Sequence, residues 1–248
     1  MHDIHNDFEI ENILEENRKR HEIINAPYNP VTGLGAVGER KKISIKDSPI
    51  GDMYLPVELI KENLFIRRLA KYGFKGYIIR FIKEVEYSEE ALNQLWIEFI
   101  KYRIIYDFEY WAYSFIFIKD KVSPKDIPFK LNRAQRRVLN KLEKLRKAGK
   151  PIKFILLKAR QWGGSTLVQI YMLWIMLVHR RNWNTVICGD VETQSRNVRA
   201  MITKALNKYP SYLLGETVKF TPFEGSSKNK VIQNTNCVVS IGSFQKPD

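Results

Sequence analysis

Between positions 56 and 119, apolar residues recur at three- to five-residue spacing, the rhythm of helices that each bury one face. Leu59, Ile60, Leu64, Leu69 and Tyr72 trace a first stripe, and Gly73 is a natural stop for it. Ser88 stands where an N-cap belongs, ahead of a helix carrying Leu92, Leu95, Trp96, Phe99 and Ile100. The run Phe108-Glu109-Tyr110-Trp111-Ala112-Tyr113-Ser114-Phe115 is dense in rings. A helix packing aromatics into a core is the expected reading, ahead of a base-stacking surface. Asn132 caps a further helix, with Ala134, Val138, Leu142 and Leu145 on one stripe and Gly149 past its end.

After Gly149-Lys150-Pro151 the rhythm changes. A β-rich run over 152–157 leads into a loop, and an apolar helix is predicted over about 164–179. A second strand over 185–188 and a helix over about 192–208, closed by Pro210, follow. Strand, helix, strand, helix at this spacing implies α/β architecture with a parallel sheet and right-handed crossovers. Beyond Gly225, a polar turn at 226–229 precedes two β-like runs, 230–233 and 237–241, which predict a hairpin around Asn234-Thr235-Asn236. Residues 1–50 lack such periodicity. Asn29-Pro30 and the glycines at 33, 35 and 38 mark an extended arm, with a short helix expected near 8–20 where Phe8, Ile10, Ile13 and Leu14 roughly share a face.

Charge alters this picture. The 248 residues carry a formal net charge of +14, but the first 50 hold 7 basic and 9 acidic residues, and the remaining 198 hold 34 and 18. Residues 119–150 alone hold 12 basic and 3 acidic, many on the face of the 132–147 helix opposite its apolar stripe. That face reads equally as a solvated surface or as a contact for a polyanion such as DNA. Cys188 and Cys237 sit in apolar runs and read as buried free thiols in a reducing compartment. The four histidines lack metal-ligand spacing, so no zinc site is expected. The longest apolar stretch, 167–178, is too short for a bilayer span, and no signal peptide is visible.

The chemistry-bearing motif is Lys158-Ala159-Arg160-Gln161-Trp162-Gly163-Gly164-Ser165-Thr166. It has the outline of a phosphate-binding loop, G-x-x-x-x-G-K-[ST], with Lys158 at the first glycine's place and Gly164 at the lysine's. Such loops curl glycine-rich backbone so that N–H groups and a helix N-terminus face phosphate, while a Ser/Thr hydroxyl ligates Mg²⁺. An ordinary strand-to-helix turn is the alternative reading of the same residues.

The segment 159–166 resembles the Walker A motif of large terminase subunits, the ATPases that drive DNA into tailed-phage capsids. Pro128-Phe129-Lys130-Leu131-Asn132-Arg133-Ala134-Gln135 looks like the same family's adenine-recognition segment, and 190–207 like its post-strand helix. The resemblance covers about 108–248. It implies a P-loop NTPase-like parallel sheet, incomplete in this chain, preceded by an α-helical N-terminal region. The corresponding division is a flexible N-terminal arm (1–55), a helical region (56–127) and the N-terminal portion of an ATPase domain (128–248).

It also implies ATP and Mg²⁺ as cofactors. Phe129 would pack on the adenine ring, Gln135 would read its edge, and 158–166 would hold the phosphates. Lys158 would neutralise them, Arg160 would stabilise transition-state charge, Ser165 would ligate Mg²⁺, and Thr166 would support it. Implied partners are double-stranded DNA, a portal protein and a small terminase subunit, with a ring oligomer when full length and no membrane. The implied location is the host cytoplasm at the procapsid portal. No apolar strand ending in Asp-Glu follows the loop, and no nuclease carboxylate cluster is present, so the expectation is a piece of a longer protein. A helicase-like ATPase and a non-catalytic basic DNA-binding or adaptor protein remain the alternatives.

Overall fold

A computed structural model of the chain describes residues 10–19, 27–82, 87–120, 123–157 and 162–244. The fold is mixed α/β: a helical half leads into a smaller half built on one four-stranded sheet. Helix α1 covers residues 10–19, within the span expected to be helical, and leaves Ile10, Ile13 and Leu14 exposed. The stretch expected as a flexible arm is instead folded from residue 27 onward. Strands β1 (Arg40–Ser44) and β2 (Asp52–Pro56) pair antiparallel and bury Ile43, Met53 and Leu55. Composition concealed this because the turns at Gly33, Gly38 and Gly51 separate runs too short to show a period.

Helices α2 (Val57–Glu62), α3 (Leu64–Phe81), α4 (Glu89–Tyr106) and α5 (Phe108–Phe115) follow. Asn63, Ser88 and Asp107 cap the last three, each side chain accepting a first-turn backbone N–H. Gly73 does not end α3 but breaks it, at φ +72, and the helix resumes at Phe74. The aromatic run is core: Trp111 is wholly buried, and its Nε1–H donates to the Tyr209 hydroxyl at 2.9 Å. Trp174 Nε1–H donates to the Ile104 carbonyl at 2.8 Å, so the two halves share one hydrophobic core.

A small hairpin, β3 (Phe117–Lys119) and β4 (Asp126–Pro128), precedes α6 (Arg133–Lys147). Helix α7 (Gly164–Trp174) runs into a π-helical turn, Ile175–His179, which confirms the apolar helix expected there. Strand β5 (Asn184–Gly189), helix α8 (Glu192–Asn207) and the short α9 (Ser211–Leu214) come next. The chain ends in the meander β6 (Phe220–Phe223), β7 (Ser226–Ile232) and β8 (Cys237–Ser243). Sheet order is β5-β8-β7-β6, with β5 parallel to β8 and the other pairs antiparallel. The β7–β8 hairpin forms around 233–236 as its sequence indicates, but the polar 226–229 segment lies inside β7, and Glu224-Gly225 makes the turn.

Two further expectations need correction. Residues 152–157 are not a buried strand: they pair with nothing among the described residues, and Ile155 and Leu157 are 100% and 99% exposed. Apolar composition sets strand propensity, but a strand exists only where another strand offers its edge. The parallel pair of the sheet is therefore β5–β8 and does not include the run before the loop. Cys188 is exposed; only Cys237 is buried. Side chains on β5 alternate, so Thr185 faces the core and Val186 faces solvent.

A buried ionic network locks the N-terminal hairpin to the helices. Arg40 grips Asp107 with both Nη atoms at 2.8 and 2.9 Å, and Arg103 Nε–H donates to Asp107 at 3.1 Å. Glu109 Oε2 accepts the Val37 backbone N–H at 2.6 Å, and Arg136 lies 3.5 Å from Glu109 Oε1. Against the burial that would raise it, Arg40 and Arg103 hold the Asp107 carboxyl at about 2. For Glu109 burial, with the neighbouring Asp107 charge, prevails over Arg40 and Arg136 and pushes it up to about 7.

A folded-state value above the ordinary 4.5 means that the fold holds this proton more tightly than the unfolded chain does. Stability is then fully present below pH 4.5 and is lost as pH rises toward 7, by up to about 3 kcal/mol. The unfolding midpoint should fall between pH 5 and pH 7.5, and Glu109→Gln should flatten that slope. An equal slope in the variant would assign it to other groups.

Candidate nucleotide-binding loop

Two helix N-termini meet beside the glycine pair. Asn132 Oδ1 accepts the Gln135 backbone N–H at 2.9 Å, and Gln135 Oε1 accepts the Asn132 backbone N–H at 2.9 Å, a reciprocal cap on α6. The remaining amide donors of the same two residues reach the loop. Asn132 Nδ2 donates to the Trp162 carbonyl at 2.8 Å, and Gln135 Nε2 donates to the Gly163 carbonyl at 2.9 Å. The start of α6 is thereby stitched to the start of α7.

Gly163 adopts φ +82, a left-handed conformation that a side chain resists, and a Cβ there would fall 2.6 Å from Gln135 Nε2. Gly164 opens α7 beneath the Trp162 ring, where a Cβ would fall 2.6 Å from the ring edge. The first intrahelical bond runs from Leu167 N–H to the Gly163 carbonyl at 3.0 Å. The N–H groups of Gly164, Ser165 and Thr166 therefore have no partner inside the helix. The positive end of the α7 dipole coincides with them, and a phosphate is the ligand such a group of donors suits. Ser165 is exposed in this first turn, and Thr166 is half-buried.

Lys158, Ala159, Arg160 and Gln161 lie outside the described residues. Trp162, Gly163, Gly164, Ser165 and Thr166 are brought together at the head of α7. Phe129 is 2% exposed and packs in the core, and Gln135 is 4% exposed with its amide committed to Asn132 and Gly163. To read an adenine edge, Gln135 would have to exchange those bonds. The role it does perform is legible in the sequence, because Asn132-x-x-Gln135 is a capping-box pattern. The second grip of Asn132, on the Trp162 carbonyl, has no local signal, since 30 residues separate the partners.

The basic face of α6 is partly neutralised. Arg136 is buried, Arg146 pairs with Glu143 at 2.7 Å, Lys141 with Glu16 at 3.1 Å, and Lys147 with Glu58 at 2.7 Å. Among the described residues no cluster of histidine, cysteine or carboxylate ligands could hold a metal ion. Among the same residues no helix is long and apolar enough to cross a membrane. No model of a known protein family matches the chain, and no curated protein matches it.

Proposed function

We propose that this chain is the ATP-binding part of a DNA-packaging terminase motor, one that translocates viral DNA into a procapsid. The observation that carries this reading is the head of α7. Left-handed Gly163 and the two carbonyls pinned by Asn132 and Gln135 set three successive amides without a partner inside the helix beside an exposed serine. In this reading those amides take the phosphates and Ser165 the Mg²⁺. Lys158 and Arg160 supply positive charge from the sequence immediately before, and the sheet is an incomplete P-loop type. Duplex DNA is the polyanion that the basic surface meets.

A second reading, a non-catalytic basic DNA-binding protein, draws on two observations. Gln135 is engaged in bracing the loop, and the 152–157 run that should precede a phosphate loop as a strand is unpaired among the described residues.

Holding a nucleotide and hydrolysing it are separable tasks. Water attack needs a positioned carboxylate, and Mg²⁺ needs an acidic ligand behind it. After the loop, Asp190 lies just beyond β5 and is exposed, and β8 ends in Gly242-Ser243. Residues 1–248 should therefore show a melting temperature raised by Mg·ATP and no steady-state phosphate release above a Lys158→Ala blank. No rise with Mg·ATP would favour the second reading. Turnover above the blank would show that a carboxylate within this chain activates water.

A further inference from the structure

Helix α3 carries five basic residues, Arg67, Arg68, Lys71, Lys75 and Arg80, and no acidic one. None forms an ion pair with a carboxylate among the described residues, in contrast to four of the seven basic residues of α6 and to Lys204 and Lys208, which share Asp126. Glycine at position 73 arranges these cations. A Cβ on Gly73 would fall 2.8 Å from Lys46 Cβ and 2.9 Å from the Lys46 carbonyl, and Phe74 N–H donates to that carbonyl at 3.1 Å. The β1–β2 turn thus presses into the helix, and only glycine admits it.

The break folds the second half of α3 back on the first. Tyr72 and Phe81 would be about 13 Å apart along an unbroken helix, yet their ring centroids are 5.6 Å apart. Three cations converge on this ring pair. Arg80 lies 4.7 Å and Lys71 5.1 Å from the Tyr72 centroid, and Arg68 lies 4.5 Å from that of Phe81. Lys75, over Tyr87 at 4.8 Å, continues the basic surface.

A guanidinium laid on a ring is held, among the described residues, without a competing carboxylate, so less side-chain entropy remains to be lost when an anion arrives. Its in-plane N–H donors stay available, in the fork that suits phosphate oxygens. Because cations already occupy faces of Tyr72 and Phe81, these rings act as seats for charge and not as platforms for bases.

We propose that the cluster of Arg68, Lys71 and Arg80 on Tyr72 and Phe81 binds the phosphate backbone of duplex DNA without reading bases. The proposal rests on the DNA half of the function proposed above and is independent of the loop. It places the contact on the helical half of the molecule and not on the partly neutralised face of α6.

The test is fluorescence anisotropy of a labelled duplex with the full chain across salt concentrations from about 50 mM upward. Arg68→Ala/Lys71→Ala/Arg80→Ala should weaken binding at least tenfold at the lowest salt. It should also reduce the slope of log affinity against log salt by about 2.7, or about 0.9 for each phosphate no longer neutralised. Tyr72→Leu, which keeps every charge and removes a seat, should weaken binding with the slope nearly unchanged. Should the triple variant fail to fold, Arg80→Ala, at an exposed position, carries the test with a slope change of about 0.9.

An unchanged affinity and slope, or no duplex binding by the wild type, would overturn the proposal. So would loss of binding to anionic phospholipid vesicles with duplex binding intact, which would make the partner a membrane surface. Binding of a fluorescent ATP analogue is measured in parallel. Its failure with DNA binding intact would count against the loop and not against this cluster.

Discussion

Asp107→Ala should lower the unfolding free energy by about 3–5 kcal/mol or prevent folding altogether, the largest stability effect expected of a single polar substitution here. Asp107 is 1% exposed and accepts from Arg40 twice, from Arg103, and from the Tyr110 backbone N–H that opens α5. Truncation leaves the Arg103 guanidinium buried without a counter-charge and Arg40 with only Glu109, 3.7 Å away, among the described residues. Arg103 is wholly enclosed, stacked 3.7 Å from the Tyr110 ring centroid, with the Met53 sulfur 3.8 Å from its Nη1. The lost helix cap adds about 1 kcal/mol. Against a total stability of roughly 5–15 kcal/mol, such a loss is decisive.

The sign of the pH dependence gives a second handle on the same residue. A carboxyl held at about 2 contributes stability that is present above its ordinary value of 3.8 and is lost as pH falls toward 2. Urea unfolding at neutral pH checks the substitution, and acid titration of any variant that folds checks the linkage. A loss below about 1 kcal/mol is the range of exposed ion pairs and would show that the network does not hold the N-terminal hairpin.

What is legible in the sequence is local. Caps at Ser88 and Asn132, the helix spans around them and the 237–241 strand follow from residues within a few positions of one another. What stays hidden depends on distant partners. Arg40 and Asp107 are 67 residues apart, so nothing near residue 40 marks it as part of the core. Residues 152–157 have the composition of a strand, but their pairing depends on an edge that sequence spacing cannot locate. Gly73 does interrupt its helix as its sequence indicates, but it does not end it, because its use is set by the approach of Lys46.

In the candidate site, the glycines, Ser165 and Thr166 stand out from the motif, while the brace from Asn132 and Gln135 emerges only in the fold. Gln135 shows the tension most clearly. One residue matches both an adenine-reading pattern and a capping box, and the structure displays the second use.

The second large effect concerns Lys158, the one lysine within 158–166. If backbone amides at the head of α7 receive the phosphates, the charge of a nucleoside triphosphate still needs neutralising, and Gly164 occupies the position where such loops usually place a cation. Lys158→Ala should then weaken nucleotide binding by at least tenfold and leave the melting temperature of the ligand-free protein unchanged. The direct measurement is titration of the wild-type chain and this variant with a fluorescent ATP analogue and Mg²⁺, with unlabelled ATP as competitor. The account predicts saturable, competable binding to the wild type that is largely lost in the variant. Absence of binding to the wild type, or equal affinity in the folded variant, would contradict it.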